Sequence, residues 1–162
     1  MEINEKPDLR IALFEPDIPQ NTGAMLRLAA CFNVGVDIIG PCGFVLSEKR
    51  LRRVGMDYLE KSSTTIHQSW SGYYDTVKWD ESRLLLLTTK SQVAYTSFKF
   101  RRGDVLLLGR ESAGVTAEVY QSINLKITIP MRNGMRSLNV VQATSMVLGE
   151  ALRQLNIFPC HS

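Results

Sequence analysis

Residues 129–145 read Ile-Pro-Met-Arg-Asn-Gly-Met-Arg-Ser-Leu-Asn-Val-Val-Gln-Ala-Thr-Ser. They begin as the end of a β-branched strand, pass through a loop with Pro130 and Gly134, and turn at Ser137 into a long helical pattern. Two earlier strand-to-helix turns, around Asn21 and around Glu111, have the same form. The chain therefore carries three turns that either make one site or merely connect elements.

Strand-favouring runs alternate with helical patterns along the whole chain. The predicted strands are 9–15, 36–39, 64–67, 83–88, 104–109 and 125–129, and the predicted helices are 24–32, 70–77, 116–122 and 139–155, with a basic surface helix from Ser47. This alternation predicts an α/β fold, a mostly parallel sheet with helices on both faces. In such sheets ligands lie beyond the carboxyl ends of the strands, which is where the three turns fall.

Local signals assign caps and core positions. Asn21 or Thr22 is expected to cap the first helix and Ser137 the last. The aromatic residues of the 70–77 helix are expected in the core. The last helix should bury one face at a 3.6-residue period, made of Val140, Thr144, Val147, Leu148, Ala151, Leu152 and Leu155.

Length and composition favour one cytoplasmic domain. A chain of 162 residues suits a single domain, here 1–162, and its three cysteines are widely spaced and odd in number, as expected of reduced thiols. The N-terminal sequence has no pattern of a secretory signal, and we expect no membrane span. The net charge of +3 is modest, but basic residues cluster at 49–53, 99–102 and 132–136, as candidate phosphate contacts or as solvated surface charge.

Several kinds of chemistry are disfavoured. There are two histidines, no Cys-x-x-Cys, no G-x-x-x-x-G-K-[ST] phosphate loop, and no G-x-G-x-x-G after the first strand. We therefore expect no metal site. The polar residues that remain at the strand ends could orient a hydroxyl and balance charge, and they are Asn21, Arg27, Glu111, Arg136, Ser137 and Asn139.

Three segments carry a family resemblance. Asn21-Thr-Gly-Ala-Met-Leu-Arg27, Gly109-Arg-Glu-Ser-Ala-Gly114 and Arg136-Ser-Leu-Asn139 resemble, in order, the three motifs of the SPOUT RNA 2′-O-methyltransferases. Residues 15–23, 49–53 with 57–58, and 87–90 are similar to the single-domain subfamily that methylates the wobble cytidine or uridine of tRNA. The resemblance covers nearly the whole chain.

The resemblance implies a C-terminal deep trefoil knot, which pattern reasoning would not propose. It also implies a homodimer that uses S-adenosylmethionine and binds tRNA. Carried over by position, the cofactor contacts are Leu87, Gly109, Ile129, Met131, Ser137 and Leu138. The loop at 132–135 is expected to become ordered when cofactor or RNA binds.

The same resemblance places five residues around the reacting centre, namely Asn21, Arg27, Glu111, Ser137 and Asn139. Arg27 is often assigned proton removal in the family, but a guanidinium with a pKa above about 12 is a poor base, and positioning is easier to justify. Asn21 would orient Arg27 or the ribose, and Glu111 would hold the loop or pair with Arg27. Two purely structural alternatives stay open. Asn21 could serve only as a helix cap, and Glu111 could serve only as a favourable negative charge at a helix N-terminus.

Substrate choice is less constrained than chemistry. The candidate phosphate contacts are Lys49, Arg50, Arg52, Arg53 and Arg132. Three alternatives stay open: a relative that methylates ribosomal RNA or another tRNA position, a non-catalytic RNA-binding protein, and a metal-free hydrolase built on Ser137.

Overall fold

The structure is a computed structural model that describes residues 7–47, 49, 53, 58 and 61–160. Within them, the strands are β1 (Leu9–Phe14), β2 (Gly35–Ile39), β3 (Thr64–His67), β4 (Leu84–Leu87), β5 (Asp104–Leu108) and β6 (Leu125–Ile127). The helices are α1 (Pro19–Cys31), α2 (Trp70–Trp79), α3 (Ala117–Ser122) and α4 (Val140–Leu155), with a 3₁₀ turn at Tyr95–Ser97.

The strands form one six-stranded sheet in the order β3-β2-β1-β5-β4-β6, and every pairing is parallel. β1 and β5 lie side by side at its centre, with Leu13 opposite Leu108. Apart from Arg10 in β1 and Asp104 at the start of β5, both strands are apolar, because both faces of the sheet are covered. The predicted parallel α/β architecture is confirmed.

Helices cover the two faces in pairs. Ile11 and Leu13 of β1 share a core cluster with buried residues of α1 and α4, such as Leu26 and Leu148. Ala12 and Phe14, which point the other way, share a second cluster with residues of α2 and α3. Because alternate residues of a strand face opposite sides, this division places α1 and α4 on one face and α2 and α3 on the other.

Two core predictions are confirmed. On α4 the buried residues are Thr144, Val147, Leu148, Ala151 and Leu152, while Val140 and Leu155 pack at the edge of the cluster. On α2, Tyr73 and Val77 are buried and Trp70 and Tyr74 pack against them. The 3.6-residue spacing located these faces correctly.

Two cap predictions are wrong. Helix α1 begins at Pro19, so Asn21 and Thr22 lie inside its first turn, and the N-cap position is Ile18 with no side-chain hydrogen bond. Proline is suited to the first helical position because its missing N–H would have had no partner there. Ser137 does not cap α4 either, because Asn139 occupies the cap and accepts from the amides of Val141 and Gln142.

Most of the predicted basic helix from Ser47 lies outside the described residues. In the part of the chain that is described, no helix is both long and apolar enough to cross a bilayer. All three cysteines are free, with Cys31 and Cys160 exposed and Cys42 half-buried.

Truncation of Leu148 tests the packing of α4 against the sheet. This side chain is 1% exposed in the larger core cluster. We expect Leu148→Ala to lower the free energy of unfolding by about 2–5 kcal/mol, measured by urea denaturation followed by circular dichroism. Trp79, which is 87% exposed at the end of α2, is the control, and Trp79→Ala should change stability by less than about 0.5 kcal/mol. Equal losses would contradict the assigned core.

Candidate active site

Three loops meet at the carboxyl edge of the sheet, beyond β1, β5 and β6. The chain leaves β1 towards β2 on one side and leaves β5 towards β6 on the other. The loops after these two neighbouring strands therefore diverge and leave a crevice between them, the position where parallel sheets bind ligands.

A cavity of about 600 Å³ occupies this crevice. Its volume lies within the range of about 300–1,000 Å³ that is typical of small-molecule sites. It is bounded by the loop after β4, the loop after β5, the segment that joins β6 to α4, and the start of α1. All six predicted cofactor residues line it: Leu87, Gly109, Ile129, Met131, Ser137 and Leu138.

The turn after β5 requires close approach of two glycines. Arg110 and Gly114 exchange backbone hydrogen bonds of 3.1 and 2.8 Å, which closes the turn. A Cβ on Gly109 would lie 2.7 Å from the Cα of Gly114, and Gly114 itself has a φ of +67°. A side chain at either position would strain the turn that presents Glu111 to the cavity.

Asn21, Glu111 and Asn139 connect the three loops through side-chain hydrogen bonds. Asn21 Nδ2 donates to Glu111 Oε1 at 3.3 Å, and Asn139 Nδ2 donates to Asn21 Oδ1 at 3.2 Å. Asn139 Oδ1 accepts from the amides of Val141 at 2.9 Å and Gln142 at 3.3 Å, as the cap of α4. The three predicted residues thus form one chain at the mouth of the cavity.

Glu111 is also bound to the loop after β1. Its Oε2 accepts from the Asp17 amide at 3.0 Å, while Asp17 Oδ1 accepts from the Glu111 amide at 3.2 Å. The Ser112 hydroxyl donates to Asp17 Oδ2. The neighbouring Arg110 pairs with Glu15, which has a φ of +43°, a strained value for a residue with a side chain.

The pKa values of the ionisable groups in this cluster are shifted from their ordinary values. Burial raises the pKa of Glu111, and its hydrogen bond to the Asp17 side chain raises it further. Hydrogen bonds from the side chains of Glu111 and Ser112 lower the pKa of Asp17. Burial, with the nearby carboxyls of Glu15 and Glu111, raises the pKa of the Cys42 thiol to about 11, so this cysteine is a protonated thiol at neutral pH.

Arg27 is placed differently from the other predicted catalytic residues. It is exposed on α1, outside the lining of the cavity, and its guanidinium carbon lies 5.6 Å from the centre of the Tyr58 ring. The described side-chain contacts of Glu111 are to Asp17, in the loop after β1, and to Asn21, in α1. Ser137 lines the cavity and is exposed to solvent. The neighbouring Arg136 is also exposed, but it does not belong to the cavity lining.

The candidate phosphate contacts lie on the surface where they can be described. Lys49, Arg53 and Arg132 are exposed, and Arg50 and Arg52 lie outside the described residues. Among the residues that the structure describes, no group of three or more His, Cys, Asp or Glu side chains could hold a metal ion.

Sequence reasoning missed part of the site. Asp17, Arg110 and Ser112 make the contacts that join the first and second loops. Asp17 follows a buried strand in the Pro-Asp-Ile-Pro loop, and this position at a strand end was the available signal. Lys90 and Tyr120 also line the cavity.

Comparison with known proteins gives a consistent result. Residues 8–149 match the SpoU rRNA Methylase family. The tRNA (cytidine(34)-2′-O)-methyltransferase of Beijerinckia indica is 50% identical over 145 residues, which cover 90% of this chain and 91% of that protein. The protein of the same name from Escherichia coli K12 is 40% identical over 149 residues, covering 91% and 94%.

Solved structures share the fold. One, described as structural insights into the 2-OH methylation of C/U34 on tRNA, is 34% identical with a TM-score of 0.86, covering 93% of this chain and 99% of that one. The SpoU methyltransferase AviRb from Streptomyces viridochromogenes, in complex with the cofactor AdoMet, is 24% identical with a TM-score of 0.84, covering 95% of this chain and 63% of that one. The second likeness concerns the fold alone.

Two substitutions of Asn139 distinguish its role as the cap of α4 from its hydrogen bond to Asn21. We expect Asn139→Ala to lower the free energy of unfolding by about 1 kcal/mol, because α4 loses its cap. Asn139→Asp keeps the capping oxygen and places a negative charge at the helix N-terminus, so it should retain most of that stability while it loses the donor to Asn21. Urea denaturation of both variants checks this, and equal losses would contradict the capping role.

Proposed function

Because the chain belongs to the SpoU rRNA methylase family, we propose that it transfers a methyl group from S-adenosylmethionine to the ribose 2′-hydroxyl of the wobble cytidine or uridine of tRNA. The observation that carries the proposal is the meeting of three loops, remote in sequence, through Asn21, Glu111 and Asn139 at a cavity that all six predicted cofactor residues line. The names of the 50% and 40% identical relatives support the choice of nucleotide.

The cavity fits the proposed cofactor. Leu87, Ile129, Met131 and Leu138 give it an apolar lining suited to a purine, and Glu111 adds a carboxyl group at the mouth. S-adenosylmethionine would supply an activated methyl group on a positively charged sulfonium. Ser137, at the exposed end of the 128–139 segment, provides a hydroxyl and an amide beside the same apolar residues.

The residues of the chain mainly have to align the ribose oxygen and assist the loss of its proton. Asn21 and Asn139 are held to each other and to α4, so their amides offer fixed dipoles near the 2′-hydroxyl. Preorganised dipoles of this kind stabilise developing negative charge on the oxygen. Arg27, exposed outside the cavity, is assigned to a phosphate or ribose oxygen of the RNA rather than to proton removal.

The proposal extends to the assembly. It includes one domain over 1–162, a deep trefoil knot in the C-terminal part, a homodimer, and a cytoplasmic site of action on tRNA. The RNA would contact the surface that carries Lys49, Arg53 and Arg132, together with Arg50 and Arg52 of the same basic segment.

The alternative functions differ in the reaction or in the nucleotide that is modified. A relative that acts on ribosomal RNA, or on another tRNA position, would use the same cavity and differ in the nucleotide that is modified. A non-catalytic RNA-binding relative would bind RNA without transfer. A hydrolase built on Ser137 would need a base bonded to that hydroxyl, and none of the described hydrogen bonds joins Ser137 to one.

Methyl transfer in vitro tests the function. Purified protein, total tRNA and S-adenosylmethionine with a labelled methyl group should give labelled 2′-O-methylcytidine or 2′-O-methyluridine derivatives at position 34, identified by nucleoside and fragment mass spectrometry. Total ribosomal RNA is the matched control substrate and should stay unlabelled. Label in ribosomal RNA, or at another tRNA position, would replace the proposed substrate, and cofactor binding without any transfer would refute the reaction.

Removal of charge from the proposed RNA surface tests recognition. We expect the triple variant Lys49→Ala, Arg53→Ala and Arg132→Ala to weaken tRNA binding and to lower the slope of log affinity against log salt by about 0.7–0.9 per lost phosphate contact. Cofactor affinity should not change. The control removes the same charge from Lys99, Arg101 and Arg102, which precede β5 at the opposite edge of the sheet. Equal loss in both variants would indicate a general charge effect.

A further inference from the structure

We propose that Lys90, whose ammonium group lies over the ring of Tyr120, binds the carboxylate of the amino-acid part of the cofactor. The inference rests on the proposed function, and it adds a subsite to the six predicted cofactor contacts. Both residues line the cavity, Lys90 from the loop after β4 and Tyr120 from α3.

The sheet order places Lys90 and Asn21 at different ends of the cavity. β5 lies between β1, which is followed by the loop leading to Asn21, and β4, which is followed by the loop carrying Lys90. Neighbouring strands are about 4.8 Å apart, so these two loops start about 10 Å from each other. Gly109, directly after β5, lines the cavity between them. A ligand whose reacting group lies beside Asn21 can therefore extend across Gly109 towards Lys90.

The loop after β4 is anchored to β6 on both sides of Lys90. The Thr88 amide donates to the carbonyl of Ile127 at 2.9 Å, and the Ser91 hydroxyl donates to the carbonyl of Lys126 at 2.8 Å. The amide of Lys90 itself donates to Thr88 Oγ1 at 3.3 Å. These hydrogen bonds fix the backbone from which the Lys90 side chain extends.

Two lysines share the ring of Tyr120 but differ in their other contacts. The Nζ atoms of Lys126 and Lys90 lie 4.5 and 5.7 Å from the ring centre, within the range of about 6 Å for cation–π attraction. Lys126 is half-buried and also donates to the carbonyl of Ile123, so it holds the end of α3. Lys90 is exposed, and the ion pairs of the described residues do not include it. Its ammonium group therefore keeps its donors for a ligand.

The cavity thus has an acidic group at one end and a basic group at the other. Glu111 hydrogen-bonds Asn21 at the first end, and Lys90 lies at the second. S-adenosylmethionine has the matching arrangement, with a positive sulfonium and, a few bonds away, a carboxylate. Lysine supplies three donors on a flexible stem, and the contact with Tyr120 restricts that stem before the ligand binds.

Two ligands that differ in the carboxylate alone test the subsite. Decarboxylated S-adenosylmethionine keeps the adenosine, the sulfonium and the amine. Calorimetry with the full chain and no RNA should show that S-adenosylmethionine binds more tightly by about 10-fold, as expected for a hydrogen bond between charged groups. In Lys90→Gln this preference should disappear, because S-adenosylmethionine loses affinity while the decarboxylated ligand does not.

Three other variants complete the test. Lys78→Gln is the matched control, because Lys78 is also exposed and lies over a half-buried tyrosine, 4.4 Å from the ring centre of Tyr74, but outside the cavity lining. It should keep the preference of the wild type. Lys90→Arg retains the positive charge and should keep part of it. Tyr120→Leu removes the ring beside Lys90 and should weaken binding of S-adenosylmethionine more than binding of the decarboxylated ligand.

The possible outcomes separate this subsite from the proposed function. An unchanged preference in Lys90→Gln, or an equal loss of affinity for both ligands, would overturn the subsite. A Lys90→Gln protein that keeps the preference and binds tRNA more weakly would also overturn it, and would assign Lys90 to an RNA phosphate. A wild-type protein that shows the preference but does not methylate tRNA would overturn the proposed function and leave the subsite in place. Failure of the wild type to bind either ligand would overturn both.

Discussion

The parallel pairing of β1 with β5 at the centre of the sheet is the constraint on which the site depends. Leu13 lies opposite Leu108, so the two strands end at the same level and their loops emerge side by side. Burial of these strands on both faces fixes their register, because a slip of one residue would exchange the two core clusters. Asp17 and Glu111 are therefore brought into contact although 94 residues separate them.

The third loop, which joins β6 to α4, is held to the other two by the side chain of Asn139. Asn139 caps α4 with its oxygen and reaches Asn21 with its nitrogen, so one side chain both starts the helix and completes the site. Helix α4 is held by its buried stripe against the same face of the sheet as α1. The position of Asn139 at the cavity is thus set by core packing some turns away, and not by the exposed segment 132–138 that precedes it.

The sequence was informative where one local pattern determined the outcome. The period of α4 and the leucine run of β4 identified their elements. The strand-end positions grouped the three turns, and the family resemblance implied that Asn21, Glu111 and Asn139, which are hydrogen-bonded to one another, lie around one centre. The cap predictions at Asn21 and Ser137 were wrong because several residues that can begin a helix lie close together in each turn. Helix α1 begins earlier, with Pro19 as its first helical residue, and helix α4 begins later, with Asn139 as its cap. Strand order was beyond local patterns, since β4 lies between β5 and β6 only through long-range pairing.

The contacts of Asp17 and Arg27 show why residue type alone could not complete the site. Arg27 sits in a family motif, yet in this chain it lies over Tyr58 and outside the cavity. Asp17 lies in the segment 15–23, outside the three motifs that carry the predicted site residues, yet its amide and its carboxylate both bind Glu111. The difference arises because α1 begins at Pro19, directly after the loop that carries Asp17, so that loop docks on the turn after β5 while Arg27 emerges two helical turns further along. A residue beside a strand end can therefore hold in place a motif residue from another part of the chain.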